Sequence, residues 1–369
     1  MDKLKSICLR GYKSFRDAEV KFGDITVLLG ANGAGKSNLV SFFRMLNFLS
    51  TGALQEYIGR SGGSDSLLHY GRRMTTQMQA EIEFKGDSST TRYIIRLADA
   101  APDTLIFTDE RVVFQRENYP QPQDILLGAG HKESQLKEKD QAGDQTCKVL
   151  LGMLSRCRSY QFHDTSSAAS IRKSGYIENA GYLRSDAGNL AAYLCALQKT
   201  HPDCYERIVD TIRLVFPSFG DFVLEPSPTN ENYILLNWQE KRHPDYLFGP
   251  HQLSDGTLRF IAMTTLLLQP TEKMPTVIML DEPELGLHPY AISVFAGMVK
   301  SVATKTQVIL ATQSTRLVDE FEPEQIAVLE LEEELGTQCK RLDSKKLSEW
   351  LEDYSLSELW EKNIFGGRP

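Results

Sequence analysis

The chain is 369 residues long and 41% hydrophobic, enough for one large or two modest domains with a sizeable core. Its formal net charge of −8 excludes a protein that coats nucleic acid by bulk electrostatics, so any DNA contact must come from a local basic stripe. The six cysteines (Cys8, Cys147, Cys157, Cys195, Cys204, Cys339) are scattered without a C-x-x-C pair, which argues against a disulfide framework or a zinc site and fits a reducing compartment. Asp2, Lys3 and Lys5 interrupt any signal peptide, and the longest apolar stretch, around 260–268, is too short for a bilayer. A soluble cytoplasmic protein with no membrane partner is expected.

Residues 4–10 and 18–22 read as two strands joined by a turn at 11–15. The nearly continuous apolar run Ile25–Leu29 reads as a buried parallel strand, and Gly30, Gly35, Lys36 and Ser37 behind it fit G-x-x-x-x-G-K-[ST], a phosphate-binding P-loop. In such a loop backbone N–H groups converge on phosphate oxygens, the dipole of a helix starting near Lys36 adds to them, and Lys36 and Ser37 meet the terminal phosphates and Mg²⁺. Residues 61–66 break regular structure. Period-two alternation at Met78, Ala80, Ile82 and Phe84, continued over 91–97 and 103–114, predicts an antiparallel β-rich lobe interposed in an α/β core. The charge-mixed stretch 128–145 reads as a solvated loop or surface helix.

Residues 146–220 read as largely helical, with Val149, Leu150, Met153 and Leu154 on one face. A second helix is expected from near Asp186, covering Leu190, Tyr193, Leu194 and Leu197, and a third over Ile208, Ile212 and Val215; between the first two lies the aperiodic polar run 160–167. A hairpin is expected from 222–225 and 233–238. Strands at 275–280, 307–311 and 326–329, with a helix over 290–301, predict a parallel sheet, whose ligands sit at the carboxyl ends of its strands. The P-loop, Asp281-Glu282 and Thr312-Gln313-Ser314 all follow strand ends and are expected to converge on one nucleotide. A helical tail carrying Trp350 and Trp360 ends in a turn at 365–367. The domain reading is 1–125 (P-loop and antiparallel lobe), 126–245 (mainly helical insert with the hairpin), 246–335 (the returning core) and 336–369 (tail).

Hydrolysis of a bound triphosphate needs Mg²⁺, a positioned water and a base. Ser37 as direct ligand and Asp281 through the water shell are the metal candidates, and Glu282 is the group placed to polarise the water. A lone D-E pair also suits a helix N-terminus; Pro283 and the P-loop in the same chain favour catalysis. Ser254 and Gly256, in Leu253-Ser254-Asp255-Gly256-Thr257 at the head of an apolar helix, read either as a plain serine cap or as a second anion-receptive helix end.

The order P-loop, L-S-D-G-T, an apolar strand with Asp281-Glu282-Pro283-Glu284-Leu285-Gly286-Leu287-His288-Pro289, then Ala311-Thr312-Gln313-Ser314, resembles the ATPase head of the ABC superfamily. Within it the sequence is similar to the RecF and SMC branch, particularly compact "AAA family ATPases" with D-E-P-E-x-G-L-H-P, many of them from bacterial anti-phage and DNA-maintenance systems. Leu9-Arg10-Gly11-Tyr12-Lys13-Ser14-Phe15 resembles that branch's N-terminal strand and turn. The likeness covers about 1–70 and 250–330. It implies an α/β P-loop NTPase fold with a mixed core sheet. Gly30, Ala31, Asn32, Gly33, Ala34, Gly35, Lys36, Ser37 and Asn38 would be Walker A and its nucleotide contacts, joined by Lys13 and Ser14, with Asp281 and Glu282 ending Walker B. Ser254 and Gly256 would be signature residues reaching the ATP bound to a second copy, and Leu285 to His288 a D-loop across that interface. Arg60 stands where SMC heads carry an arginine near ATP, or is a surface arginine. A homodimer sharing ATP follows, acting as a switch on DNA or on a separately encoded effector such as a nuclease.

The sequence also departs from the pattern. Gln313 replaces the switch histidine among the catalytic candidates Lys36, Glu282 and Gln313, and can hydrogen-bond phosphate but carries no charge. Asp255 stands where transporter heads have glycine. Gln161 and His163 both remain candidates for the Q-loop. Ser254 follows Lys36 by only 218 positions, too few for long coiled-coil arms. The basic pairs Arg72-Arg73, Arg172-Lys173, Lys340-Arg341 and Lys345-Lys346 read as solvated surface. The alternatives are the nucleotide-binding subunit of a membrane transporter, and a scaffold in which ATP only holds two copies together.

Overall fold

In the computed structural model, which describes residues 2–117, 119 and 121–367, the chain forms two compact units. One comprises residues 1–159, 276–279 and 307–369, the other 160–275 and 280–306. In chain order, β1 (Lys3–Tyr12), β2 (Phe15–Lys21) and β3 (Ile25–Leu29) lead into α1 (Lys36–Thr51) and α2 (Leu54–Arg60). Then come β4 (Gln77–Lys85), β5 (Ser89–Ala100), β6 (Thr104–Arg116), β7 (Gln123–Gly128), α3 (Leu136–Gln141), α4 (Gln145–Ser155) and β8 (Cys157–Tyr160). The middle holds β9 (Gly175–Tyr176), α5 (Leu190–Thr200), α6 (Pro202–Val215), β10 (Phe219–Val223), β11 (Pro226–Ser227), β12 (Asn230–Ile234), β13 (Asn237–Glu240) and α7 (Asp255–Leu268). The last part runs β14 (Val277–Asp281), α8 (Pro289–Val302), β15 (Gln307–Thr312), α9 (Thr315–Val318), β16 (Ile326–Glu332), β17 (Gly336–Arg341), α10 (Ser344–Leu351) and α11 (Leu356–Glu361).

The described residues build a twelve-stranded sheet in the order β7-β6-β5-β4-β1-β2-β17-β16-β3-β15-β14-β8. Every residue of β3 is buried, and β3 pairs in parallel with β15 on one side and β16 on the other, as its unbroken apolar run requires. The β-rich stretch after α1 is the expected antiparallel lobe, and it is continuous with the core sheet. β4 pairs antiparallel with β1, Leu9 facing Ala80, so the meander β4 to β7 extends the sheet that carries the P-loop. The reason is that alternating β1 has a free edge beside β2 and an apolar face that matches Met78, Ala80 and Ile82. Against this sheet α1 lays Leu39, Phe42, Phe43, Leu46 and Leu49, with Phe22 edge-on to Phe43 at 6.0 Å. The helix ends where Gly52 takes φ 73 and returns its N–H to the Leu49 carbonyl.

Three expectations change. Val149 is 52% exposed: the inward stripe of α4 is Cys147, Leu150 and Leu154, and Val149 falls a third of a turn off it. Residues 156–189 hold no α-helix, because their runs of Ser, Asp and Gly offer turns and only short strands, so "largely helical" applies to 146–155 and 190–215. β17 lies where a helical tail was expected; its sequence shows no period-two burial, and its pairing is supplied by β16, Leu329 facing Cys339.

The second unit packs α5, α6, α7 and α8 together. Its hairpin is split in two: β10 pairs with β13, while β11 pairs with β12 and β12 with β9. Phe219, Phe222, Phe216 and Phe248 gather around Trp238, whose indole N–H donates to the Gly249 carbonyl at 3.2 Å. Among the described residues no helix is long and apolar enough to cross a membrane.

Phe43→Ala is expected to lower the unfolding free energy by about 3–5 kcal/mol, since it leaves a void between α1 and the sheet. A shift of the urea midpoint corresponding to less than about 1 kcal/mol would show that α1 does not anchor this core.

Candidate nucleotide site

Within the first unit, the residues after β3 form a loop around a buried cation. Lys36 is 6% exposed, and its ammonium donates to the carbonyl oxygens of Gly30 at 2.5 Å and Ala31 at 2.9 Å. Gly35 directly before α1 has φ 107, a conformation that side-chain-bearing residues rarely adopt, and a Cβ there would run into Thr337. Asn32, Gly33 and Ser37 are exposed, so the loop tip and the first-turn hydroxyl of α1 face solvent. Ser14, in the β1–β2 turn, accepts from the Asn38 amide at 2.7 Å. Lys13 does not lie free beside it: its ammonium donates to Ser41 Oγ on α1 at 2.7 Å, and burial, with the Arg44 cation second, pushes that ammonium's pKa down. Gln313 is exposed just past β15, at the start of α9, which Ser314 caps by accepting from Leu317 N–H. Arg60 ends α2, exposed, ion-paired with Glu56 at 2.5 Å and poised over Phe48. Beside the hairpin turn a groove of about 710 Å³ opens, walled by exposed Tyr70 and Met74, and His69 ties it to the turn through Nδ1 and the Lys13 carbonyl at 2.6 Å.

In the second unit Asp281 closes β14, 8% exposed. The Gln161 amide donates to its Oδ2 at 3.0 Å and His163 Nε2 to its main-chain oxygen at 2.8 Å. Both Q-loop candidates therefore touch Asp281, and only Gln161 touches the carboxylate. Glu282 follows in the left-handed region at φ 43, a costly backbone state for a glutamate. Ser254 caps α7, accepting from Thr257 N–H at 3.1 Å, and is exposed. A Cβ on Gly256 would collide with the Gly286 carbonyl, so glycine is needed where the head of α7 meets the turn after β14.

Two arginines that sequence reading passed over organise this region. Arg259 on α7 donates to the Phe162 and His163 carbonyls at 3.1 and 2.8 Å and to the Leu285 carbonyl at 2.9 Å, bracing both segments that flank Asp281 and Glu282. Arg172, read as part of a surface basic pair, is 6% exposed and reaches the carbonyls of Thr165 (2.7 Å), Pro250 and Leu253 (3.2 Å) and the Asp255 carboxylate (2.7 Å). The hydrogen bond from Arg172, then one from Thr165, hold the Asp255 carboxyl below the usual aspartate range. The aspartate that departs from the transporter pattern is thus the counter-ion of a buried guanidinium. Only an arginine spacing matched to loop carbonyls would have signalled this, and no linear pattern encodes it.

In the first unit the glycine loop with its buried ammonium and exposed helix-start hydroxyl suits a phosphate in kind, and in the second a buried carboxylate is followed by a glutamate at positive φ. Among the described residues no cluster of three or more His, Cys, Asp or Glu is built to hold a metal unaided.

Comparison with known proteins bears on family and fold. A family model described as "AAA domain" matches residues 6–155, and one described as "AAA domain, putative AbiEii toxin, Type IV TA system" matches residues 173–319. No curated protein matches the chain. Among solved structures, an SMC head bound to the C-terminal winged-helix domain of ScpA superposes with a TM-score of 0.56 at 14% identity, covering 94% of this chain and 99% of that one. An SMC head with an extended coiled coil, bound to the C-terminal domain of ScpA from Pyrococcus furiosus, gives 0.57 at 13% identity, with 96% and 99% covered.

Replacing Arg172 by Met is expected to cost about 3 kcal/mol, because several buried carbonyls lose their donor. Asp255→Asn should flatten the acid limb of stability: a lowered carboxylate stabilises above the ordinary aspartate range near pH 4 and is lost as pH falls through its lowered value. Urea melts between about pH 2 and 6 check both; an unchanged acid limb in the Asn variant would refute the pairing. The chain therefore carries two AAA-domain matches, each over about two fifths of its length, on a fold shared with SMC head domains.

Proposed function

We propose that the protein hydrolyses Mg²⁺-ATP in a site completed by a second copy of itself, and that this pairing is a conformational switch acting on DNA or on a separately encoded effector, in DNA maintenance or phage defence. The observation that carries the reading is Glu282, held at φ 43 directly after a buried aspartate whose carboxylate is oriented by Gln161. Backbone strain of this kind is kept where function demands a side-chain direction that a relaxed chain would not give.

In this reading Ser37 and Asp281 hold Mg²⁺, the loop amides and Lys36 hold the phosphates, and Asn38, Lys13 and Ser14 contact the nucleotide. When bound, the cation neutralises charge that develops on the phosphate oxygens. Glu282 accepts the proton of the attacking water, with the carboxylate kept in place by its strained backbone. Gln313 offers an amide donor and no charge, which favours slow turnover. Ser254 and Gly256 reach the second copy's nucleotide, and Leu285 to His288, exposed at both ends, cross the interface between the copies. Arg60, exposed at the end of α2 and paired with Glu56, is a further candidate for a nucleotide contact. The toxin–antitoxin wording of one family description and the ScpA-bound state of the structural relatives support a search for a protein partner as well as DNA.

ATP hydrolysis measured over a range of protein concentrations, with and without linear duplex DNA, tests this. Specific activity should rise with concentration, and Glu282→Gln should cut turnover about 10²- to 10³-fold while ATP binding persists. DNA stimulation would identify nucleic acid as the partner, and indifference to DNA would point to the effector. Lys36→Ala that binds and hydrolyses ATP like the wild type would overturn the proposal.

A further inference from the structure

The last described residues of the chain return to the start of the P-loop, and β17 lies behind its end; both belong to the first unit. Thr337, fully buried on β17, has its hydroxyl oxygen 2.8 Å from Ser14 Oγ and 3.1 Å from the Ala34 carbonyl. The Thr337 hydroxyl is the donor toward both Ser14 Oγ and the Ala34 carbonyl, and the Asn38 amide also donates to Ser14, so the three residues form one network behind the loop. The Thr337 N–H adds a bond to the Ser14 carbonyl at 2.8 Å.

At the other end of the loop, the Ala31 N–H donates to the Gly367 carbonyl at 2.9 Å. Gly366 and Gly367 take φ 83 and 78; a Cβ on the first would come within 2.9 Å of Glu330 Oε2, and one on the second would strike Val328. This turn is delivered by α11, whose Ser357 grips Asp319 through both N–H (2.8 Å) and hydroxyl (2.7 Å). The P-loop is therefore tied at Ala31 and Ala34, and exposed Asn32 and Gly33 lie between the ties.

We propose that Thr337 and the Gly366-Gly367 turn are positioning elements that hold the P-loop in its phosphate-receiving shape, and that through them the C-terminal segment sets nucleotide affinity. The second half of this statement rests on the nucleotide reading above. A glycine-rich loop that must be ordered on binding loses affinity by that ordering, and two fixed anchors remove part of the loss beforehand.

Thr337→Val keeps the shape and removes the hydroxyl, Thr337→Ser keeps the hydroxyl, and Gly367→Ala displaces the turn. Without nucleotide, hydrogen–deuterium exchange over residues 30–38 should quicken about fivefold or more in the Val and Ala variants and stay near wild type in the Ser variant, with exchange over β4 to β6 unchanged. The dissociation constant for a fluorescent mant-ATP with Mg²⁺ should rise about five- to tenfold in the same two variants and recover in Thr337→Ser. Unchanged exchange in both overturns the anchoring, and faster exchange with unchanged affinity overturns its role in binding. A wild type that shows the exchange pattern but binds no mant-ATP refutes the nucleotide reading while supporting the anchors.

Discussion

A strand with no polar side, Ile25–Leu29, is stable only between two hydrogen-bonded neighbours and under a helix, and this constraint shapes the first unit. β15 and β16 flank it, α1 covers it, and the six residues between strand and helix have to reverse direction in little space. Glycine at 30 and 35 meets that demand, since a Cβ on Gly30 would stand 2.5 Å from the Leu329 carbonyl. The concave run of backbone that results is what a phosphate needs, so the phosphate-binding shape is a by-product of burying the strand.

Cations wrapped in main-chain carbonyls recur. Lys36 faces the carbonyls of Gly30 and Ala31; Arg259 faces those of Phe162, His163 and Leu285; Arg172 faces those of Thr165, Pro250 and Leu253. Loops without regular hydrogen bonding leave acceptors unpaired, and a guanidinium with five donors satisfies several at once. Each buried cation thus converts an irregular segment into a rigid one, and every segment so held carries or adjoins a residue assigned to nucleotide chemistry.

The strain at Glu282 belongs to the same logic. A left-handed glutamate persists because its neighbours leave no relaxed alternative: Asp281 is fixed by Gln161 and His163, and the following turn by Arg259 and the close approach of Gly256. Rigid surroundings, more than the glutamate itself, account for its placement.

Local pattern alone determined β3, the P-loop, α1, the alternation of β4 to β6, α7 with its Ser254 cap, and the strands at 277, 307 and 326, because periodicity, glycine spacing and capping are short-range chemistry. The resemblance named the fold from the order of these motifs. Only the tertiary structure decided the rest. β4 to β7 join the P-loop's own sheet because β1 offered an edge; Val149 faces out because the stripe of α4 is set by its neighbours; β17 exists because β16 supplies its partner. Arg172 looked like a surface charge until residues 165, 250, 253 and 255 were folded around it, and the link from Ala31 to Gly367 spans nearly the whole chain. Partners that distant are chosen by packing, and no window of sequence contains both.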